Sequence, residues 1–317
     1  MDKVSVGLYG SNGHQIQRLL DNHPGARLVA VAGIEPASLP PGLATVRRHD
    51  SLQALLVDDE VELISLCSPM RSEQAQHAMD AMQAGKHVYA EKPCAFTEAE
   101  LDAIISVSRR TGMQFHEMAG TVVQEPYRTM RDQVQSGVVG QVVQVLAQKC
   151  YPWHDRRPAD ERIDGGLARQ VGVYIGRFVE HVAGVKIASM RLVETRLGNP
   201  ARDSDCRRAA SFLMTLANGG VASGVCNYLN PVKELGWGYE ILRIFGTQGI
   251  IESDLLAGTA RLLLPGEGPR LLATSGPSGD YFGLYVDMLR GRGSMPLSLE
   301  DELGPTRWVA RAKDAVS

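Results

Sequence analysis

For about 120 residues, short apolar runs alternate with helical patterns, and then the alternation stops. The apolar runs are 4–10, 27–32, 61–67, the run ending at Ala90, and 113–118. Between them, residues 14–22, 50–57, 73–84 and 97–111 carry helix-period patterns. Strands that all need a helical crossover before the next one can pair form a parallel sheet, so this rhythm predicts a doubly wound α/β domain. Punctuation agrees with the pattern. Gly85 and Gly112 stand where helices end, and Thr97 with Glu100 has capping-box spacing.

Past residue 121 the rhythm changes. A helix over 125–136 ends at Gly137 and Gly140, and then come strand patterns at 141–150, 189–197, 210–217, 221–229, 240–245, 249–253 and 260–264. Asn218-Gly219 between two of them is a hairpin signal. These features predict an α+β domain with a large, open, mainly antiparallel sheet. Such a sheet has a face to cover, and the helical pattern 167–182 and another copy of the chain are the candidates to cover it. Two helices, 279–290 and 299–316, close the chain. At 317 residues the chain is long for one core, and the expected division is 1–121 and 122–317.

Composition narrows the partners. A formal net charge of -3 with 22% charged residues carries no basic excess that would favour nucleic acid. The five cysteines are scattered without a CxxC pair, which argues for a reducing compartment and against a zinc site; no metal constellation is expected. No apolar run approaches a membrane span, and the first strand leaves no room for a leader, so the expectation is a cytoplasmic protein without membrane contact.

The turn after the first strand has the place of a dinucleotide-binding loop. Gly10 makes a tight turn, Ser11, Asn12 and Gly13 follow, and a helix over 14–22 would offer backbone N–H groups to a pyrophosphate. The spacing is incomplete: G-x-G-x-x-G from Gly10 meets Asn12 and Gln15. At the end of the second strand the ribose-binding acid is replaced by Gly33, with Glu35 two residues later as either that acid or an ordinary loop residue. No arginine follows at once, so NAD is preferred to NADP. A second candidate lies at Glu91-Lys92-Pro93. A lysine just past a strand's carboxyl end sits where such sheets bind ligands, and the proline ends the strand. The polar loop 153–164, with His154 and Arg162, and the strand-end pair His116 and Glu117 are further candidates, each equally readable as structural.

With these residues in view the chain resembles the Gfo/Idh/MocA oxidoreductases, the glucose–fructose oxidoreductase and inositol dehydrogenase superfamily. The resemblance rests on Leu66-Cys67-Ser68-Pro69, the block from Ala78 to Lys92-Pro93, Ser136-Gly137-x-x-Gly140-Gln141, Asp164-Gly165-Gly166 with Gly172-Val173-Tyr174, and the run from Pro296 to Asp301. It implies a Rossmann domain, hydride transfer between NAD or NADP and a sugar, cyclitol or related alcohol or ketone, and a homodimer or homotetramer formed through the C-terminal sheet.

By the same resemblance Lys92 orients the reacting oxygen, and Tyr174 exchanges the proton with Gln170 nearby. Gly10, Ser11, Asn12, Gly13, Glu35, Ser68, Pro69, Glu91 and Lys92 would hold the cofactor. The usual second motif carries glycine, aspartate and histidine where this chain has Asp164, Gln170 and Tyr174. Glucose–fructose oxidoreductase and the dimeric dihydrodiol dehydrogenases resemble it in the tyrosine. Gln170 hydrogen-bonds a hydroxyl but is no base. The alternative is a member that binds dinucleotide or sugar without turnover, as the co-repressor of yeast galactose metabolism does.

Overall fold

A computed structural model describes residues 3–200, 204, 206–254, 258–273 and 276–316. The chain divides into two compact units. One comprises residues 1–119, 162–164 and 281–303; the other comprises 120–161, 165–280 and 304–317.

The first unit holds six strands: β1 (Val4–Tyr9), β2 (Ala26–Ala32), β3 (Arg47–His49), β4 (Leu63–Leu66), β5 (His87–Ala90) and β6 (Phe115–Glu117). All pair in parallel, in the order β3-β2-β1-β4-β5-β6. The doubly wound expectation therefore holds, with the order reversing between β1 and β4, the switch point where open sheets take ligands. β1, β4 and β5 are apolar on both faces because helices cover both. The helices α1 (Leu52–Leu56), α2 (Gln74–Gln83) and α3 (Glu98–Thr111) supply Leu55, Ala78, Met82, Leu101 and Ile104 to this core. The Thr97–Glu100 capping box forms as read, and Gly112 takes the left-handed conformation that ends α3.

One expected helix is absent. Residues 14–22 form turns instead, with Leu20 N–H to Ile16 O at 3.0 Å and Asp21 N–H to Arg18 O at 3.3 Å. Two side chains explain the loss. Gln15 turns inward and donates to the carbonyls of Tyr9, Gly10 and Ser65, while the N–H of His14 is bound to Glu91. Asn22, at φ 63°, then ends the segment before a second turn is complete. A nine-residue helix has little intrinsic stability, so these bonds decide against it. The short edge strand β3 was not expected.

The second unit carries eight strands: β7 (Val142–Cys150), β8 (Ile187–Thr195), β9 (Ala209–Leu216), β10 (Val221–Asn227), β11 (Tyr239–Gly246), β12 (Ile250–Asp254), β13 (Thr259–Leu263) and β14 (Arg270–Leu272). Their order is β14-β13-β12-β11-β7-β10-β9-β8; among the described residues only β7 and β10 pair in parallel. Strict alternation along β9 shows the sheet's asymmetry, with Phe212 and Met214 buried and Leu213 63% exposed. Its buried face packs on a continuous helical stretch: π-turn Ala168–Gly172, α-helix Val173–Arg177, π-turn Phe178–Val182. Gly172 and Gly224 permit the contact, since a Cβ at Gly172 would lie 2.4 Å from the Phe212 ring and one at Gly224 2.3 Å from Ile175. The other face leaves Leu146, Leu213, Val221 and Val225 exposed.

Candidate functional site

Three strand ends of the first unit converge on one group of residues. After β1, Gly10 adopts φ 70°, and a Cβ there would stand 2.2 Å from the carbonyl oxygen of Cys67. Only glycine fits so close to the chain leaving β4. Asn12 N–H donates to that carbonyl (3.2 Å), and its side-chain amide donates to Ser68 O (3.3 Å) and Pro69 O (3.2 Å). Asn12 thus staples the β1 turn to the β4 turn. Ser11, Gly13 and His14 are exposed, and among the described residues nothing accepts from the N–H groups of Ser11 or Gly13.

Glu91 lies behind this turn and is 1% exposed. Its carboxylate accepts from the N–H of His14 at 2.9 Å and meets the His14 ring at 3.1 Å. Burial pushes this carboxyl upward, but the His14 hydrogen bond and the charges of His14, Lys92 and Arg71 outweigh it and hold it at about 2. Lys92 is 3% exposed and keeps its Nζ 3.9 Å from Glu91. It is therefore a buried lysine at the end of β5, not the solvated residue that composition alone allows. The Lys92–Pro93 peptide is cis.

Two residues that sequence reasoning missed hold this arrangement. Arg71, 1% exposed, donates to Asn12 O and to Lys92 O (2.5 Å), tying the two turns together. Gln74, fully buried, accepts from Ser68 N–H (3.2 Å) and donates to Glu91 O (2.5 Å) and Pro93 O (3.2 Å). Their signal in the sequence is weak: a polar run opening α2, of the kind most helices begin with. Ser68 Oγ is engaged with His77 (2.9 Å). Gly33, at φ 64°, passes close to Gly10, and Glu35 is exposed beyond it. Arg48 returns beside β2 through β3 and donates to Ile34 O at 3.1 Å. It escaped notice because β3 was unrecognised.

These positions fit a dinucleotide at the turn. Ser11 and Gly13 are exposed, with N–H groups that no described residue accepts from, Gly10 permits the close approach, and buried Arg71 supplies positive charge behind it. The expected helix N-terminus is missing, so the backbone contribution is smaller than in a complete fingerprint.

Tyr174 and Gln170 belong to the second unit and are half-buried. The Lys149 ammonium stands 4.3 Å from the centre of the Tyr174 ring and 5.0 Å from that of Tyr151, and Arg177 lies 5.4 Å from Tyr174. Lys149 is itself buried. Its strand partner across β7–β11 is Glu240, with which it forms an ion pair. Tyr127 donates to the same carboxylate, and burial, then Tyr151 and Tyr174, pushes its phenol upward. Gln170 Oε1 accepts from Tyr228 Oη at 3.5 Å.

The remaining candidates separate. His116 and Glu117 are buried and structural: His116 meets Glu302 at 2.7 Å, and Glu117 accepts from Cys94 N–H at 2.9 Å. His154 stacks on Trp237 at 5.8 Å, and Arg162 is exposed. Among the described residues no group of three or more His, Cys, Asp or Glu is arranged for a metal, and no helix is long and apolar enough to cross a membrane. None of the five cysteines forms a disulfide.

The profile of an oxidoreductase family with an NAD-binding Rossmann fold, GFO_IDH_MocA, matches residues 4–118, and its C-terminal domain profile matches 127–252. A dTDP-3,4-didehydro-2,6-dideoxy-alpha-D-glucose 3-reductase of Streptomyces violaceoruber is 30% identical over 67% of this chain and 59% of its own length. The chain spans about half to three fifths of the length of such curated relatives. An oxidoreductase domain protein from Kribbella flavida superposes with a TM-score of 0.85, 19% identity and coverage of 99% and 97%. A 3-ketoreductase from Actinomadura kijaniata, solved with NADP and TDP-benzene, does so at 0.80, 18%, 99% and 98%. With two profiles of one family spanning most of the chain in their proper order, the protein belongs to the GFO/IDH/MocA oxidoreductase family.

Proposed function

We propose that the protein is an NAD(P)-dependent oxidoreductase interconverting an alcohol and a ketone on a sugar, cyclitol or related carbon skeleton. The carrying observation is Lys92. This buried ammonium ends β5 beside the switch point, and its backbone is locked to the β1 turn through Arg71. A lysine is costly to bury unless its charge is used, and ligand crevices at switch points are where that use falls. The nicotinamide, when bound, supplies or accepts the hydride. Lys92 holds the reacting oxygen and stabilises negative charge developing there. Tyr174 exchanges the hydroxyl proton, its ring steadied by Lys149.

The N–H groups of Ser11 and Gly13 would hold the cofactor's diphosphate, and Glu35 would take its ribose. That acid favours NAD; Arg48 is the competing cation that would receive a 2′-phosphate. The Streptomyces relative is a reductase of a nucleotide-linked sugar, which supports a carbohydrate-like substrate. The exposed apolar residues of the second sheet support assembly of copies through that face.

Thermal unfolding with each nucleotide tests the reading. A ligand at 100 times its Kd stabilises by about 2.7 kcal/mol, so NAD or NADP should raise Tm by several degrees. No shift with either sinks the proposal. One observation favours a second reading, a binding protein without turnover: the β1 turn is not followed by a helix, and Glu91 already occupies the N–H of His14. Tight nucleotide binding with no hydride transfer to any sugar or cyclitol would select it.

A further inference from the structure

The second unit contains a group of polar atoms that the proposed reaction does not use. Arg208 precedes β9, and its backbone carbonyl accepts from Tyr228 N–H at 2.9 Å. Its guanidinium lies 4.8 Å from the centre of the Trp153 ring. Arg157 stacks over Tyr228 at 3.3 Å and donates to Pro152 O at 2.8 Å. Trp153 and Tyr228 meet edge to face, 6.4 Å apart, so the two guanidiniums are carried on one aromatic wall. Burial weakens the hold of Arg208 on its proton; Cys206 opposes this, and the field of Arg157 adds to it.

What distinguishes this wall is unmet hydrogen bonding. Among the described residues, Nε and Nη1 of Arg208, Nε1 of Trp153 and Nδ1 of His154 are buried without a partner. A buried donor left unpaired is costly, and a native fold that keeps several together points to an acceptor that they serve. The guanidinium and indole nitrogens are donors only, so the missing partner is an acceptor. Two neighbouring guanidiniums select an acceptor with negative charge, and their planar forks match a carboxylate or a phosphate. The Tyr228 hydroxyl reaches Gln170, four residues before Tyr174 on the same helical stretch, which links the wall to the motif proposed to act on substrate.

We infer that Arg208, with Arg157 and Trp153, forms an oxyanion subsite that takes the carboxylate or phosphate of an acidic sugar derivative. The inference rests on the oxidoreductase reading, and it specifies the substrate class.

Calorimetry with three probes tests it: D-glucuronate, D-glucose 6-phosphate and neutral D-glucose, at constant ionic strength, with tryptophan fluorescence as a second readout. In the wild-type protein at least one charged sugar should bind ten times more tightly than glucose, and its identity distinguishes carboxylate from phosphate. Arg208→Met should bring that ratio below about two, and Arg208→Lys should restore part of it. Equal binding of charged and neutral sugars, no binding of either charged sugar, or a preference unchanged in a folded Arg208→Met protein overturns the inference. The wild-type comparison decides even if the variants do not fold. A Tm shift with NAD or NADP alongside a failed sugar preference leaves the oxidoreductase reading standing; loss of both removes the two together.

Discussion

Each unit buries a lysine beside a glutamate, and the two pairs are built differently. Lys92 follows Glu91 directly, in the turn just past the end of β5. Glu91 lies against the β1 turn, where His14 and Arg71 surround it, and the Lys92 ammonium stays 3.9 Å away. Lys149 and Glu240 are instead cross-strand partners on β7 and β11, on the same face by register, and close directly on one another. The first arrangement shares one carboxylate among Lys92, His14 and Arg71, with the ammonium at the long end of ion-pair distance. The second neutralises an ammonium in place and leaves it the work of holding aromatic rings. Adjacency in sequence separates charges here, and adjacency in register joins them.

The sharpest way to break this contrast is to remove the groups proposed to touch substrate. Tyr174→Phe should lower kcat by roughly 10²–10⁴ with little change in Tm, as the loss of a proton-transfer group does. Lys92→Met should lower kcat by about 10²–10³. Steady-state rates on a converted sugar measure both, and a Lys92→Met protein with intact turnover rules out the role given to that lysine. Lys149→Met should act in the opposite sense, through stability. Leaving Glu240 buried and uncompensated costs roughly 3–5 kcal/mol. Denaturant titration should show that loss, and the double variant with Glu240→Met should recover a good part of it. Full additivity in that cycle would mean the pair is not coupled.

Acid titration sharpens the same comparison. The Glu91 carboxyl is held at about 2 in the folded protein against an ordinary 4.5. A depressed carboxyl contributes stability that is fully present above its unfolded value and disappears as pH falls through the folded one. Stability should therefore decline between pH 4.5 and 2, by something on the order of 3 kcal/mol from this group. In Glu91→Gln that part of the slope should vanish; an unchanged pH dependence would contradict the charge arrangement described. The smallest effect belongs to the exposed partner. His14→Ala should weaken nucleotide binding only several-fold, by uncovering the Glu91 charge beneath the diphosphate, with Tm nearly constant. Titration calorimetry with ADP-ribose reads this directly.

The layers of both units were legible in the sequence because their cause is local. Alternating apolar runs and helical patterns define a parallel sheet, and period-two runs such as β9 define a half-exposed one. Lys92 was legible for the same reason, since a strand, an acid and a proline frame it within ten residues. The helix over 14–22 was misread because its pattern was adequate and its competitor was remote: Glu91, 77 positions away, captures the His14 N–H. Tyr174 was named, but its neighbour Lys149 was not, because nothing in the run of β7 marks one lysine among polar residues.

The sequence by itself determined most of the strands and their ends, though not the short strands β3 and β14, and hence which residues can stand at the mouth of a sheet. Tertiary structure alone decided which charges meet. Register sets Lys149 opposite Glu240, and the order of β1, β4 and β5 brings Asn12, Arg71 and Lys92 together. The physical reason is one of range. Backbone preference and burial pattern act over a few residues, whereas ion pairing in a buried site depends on separations of a few ångström between chains far apart in sequence.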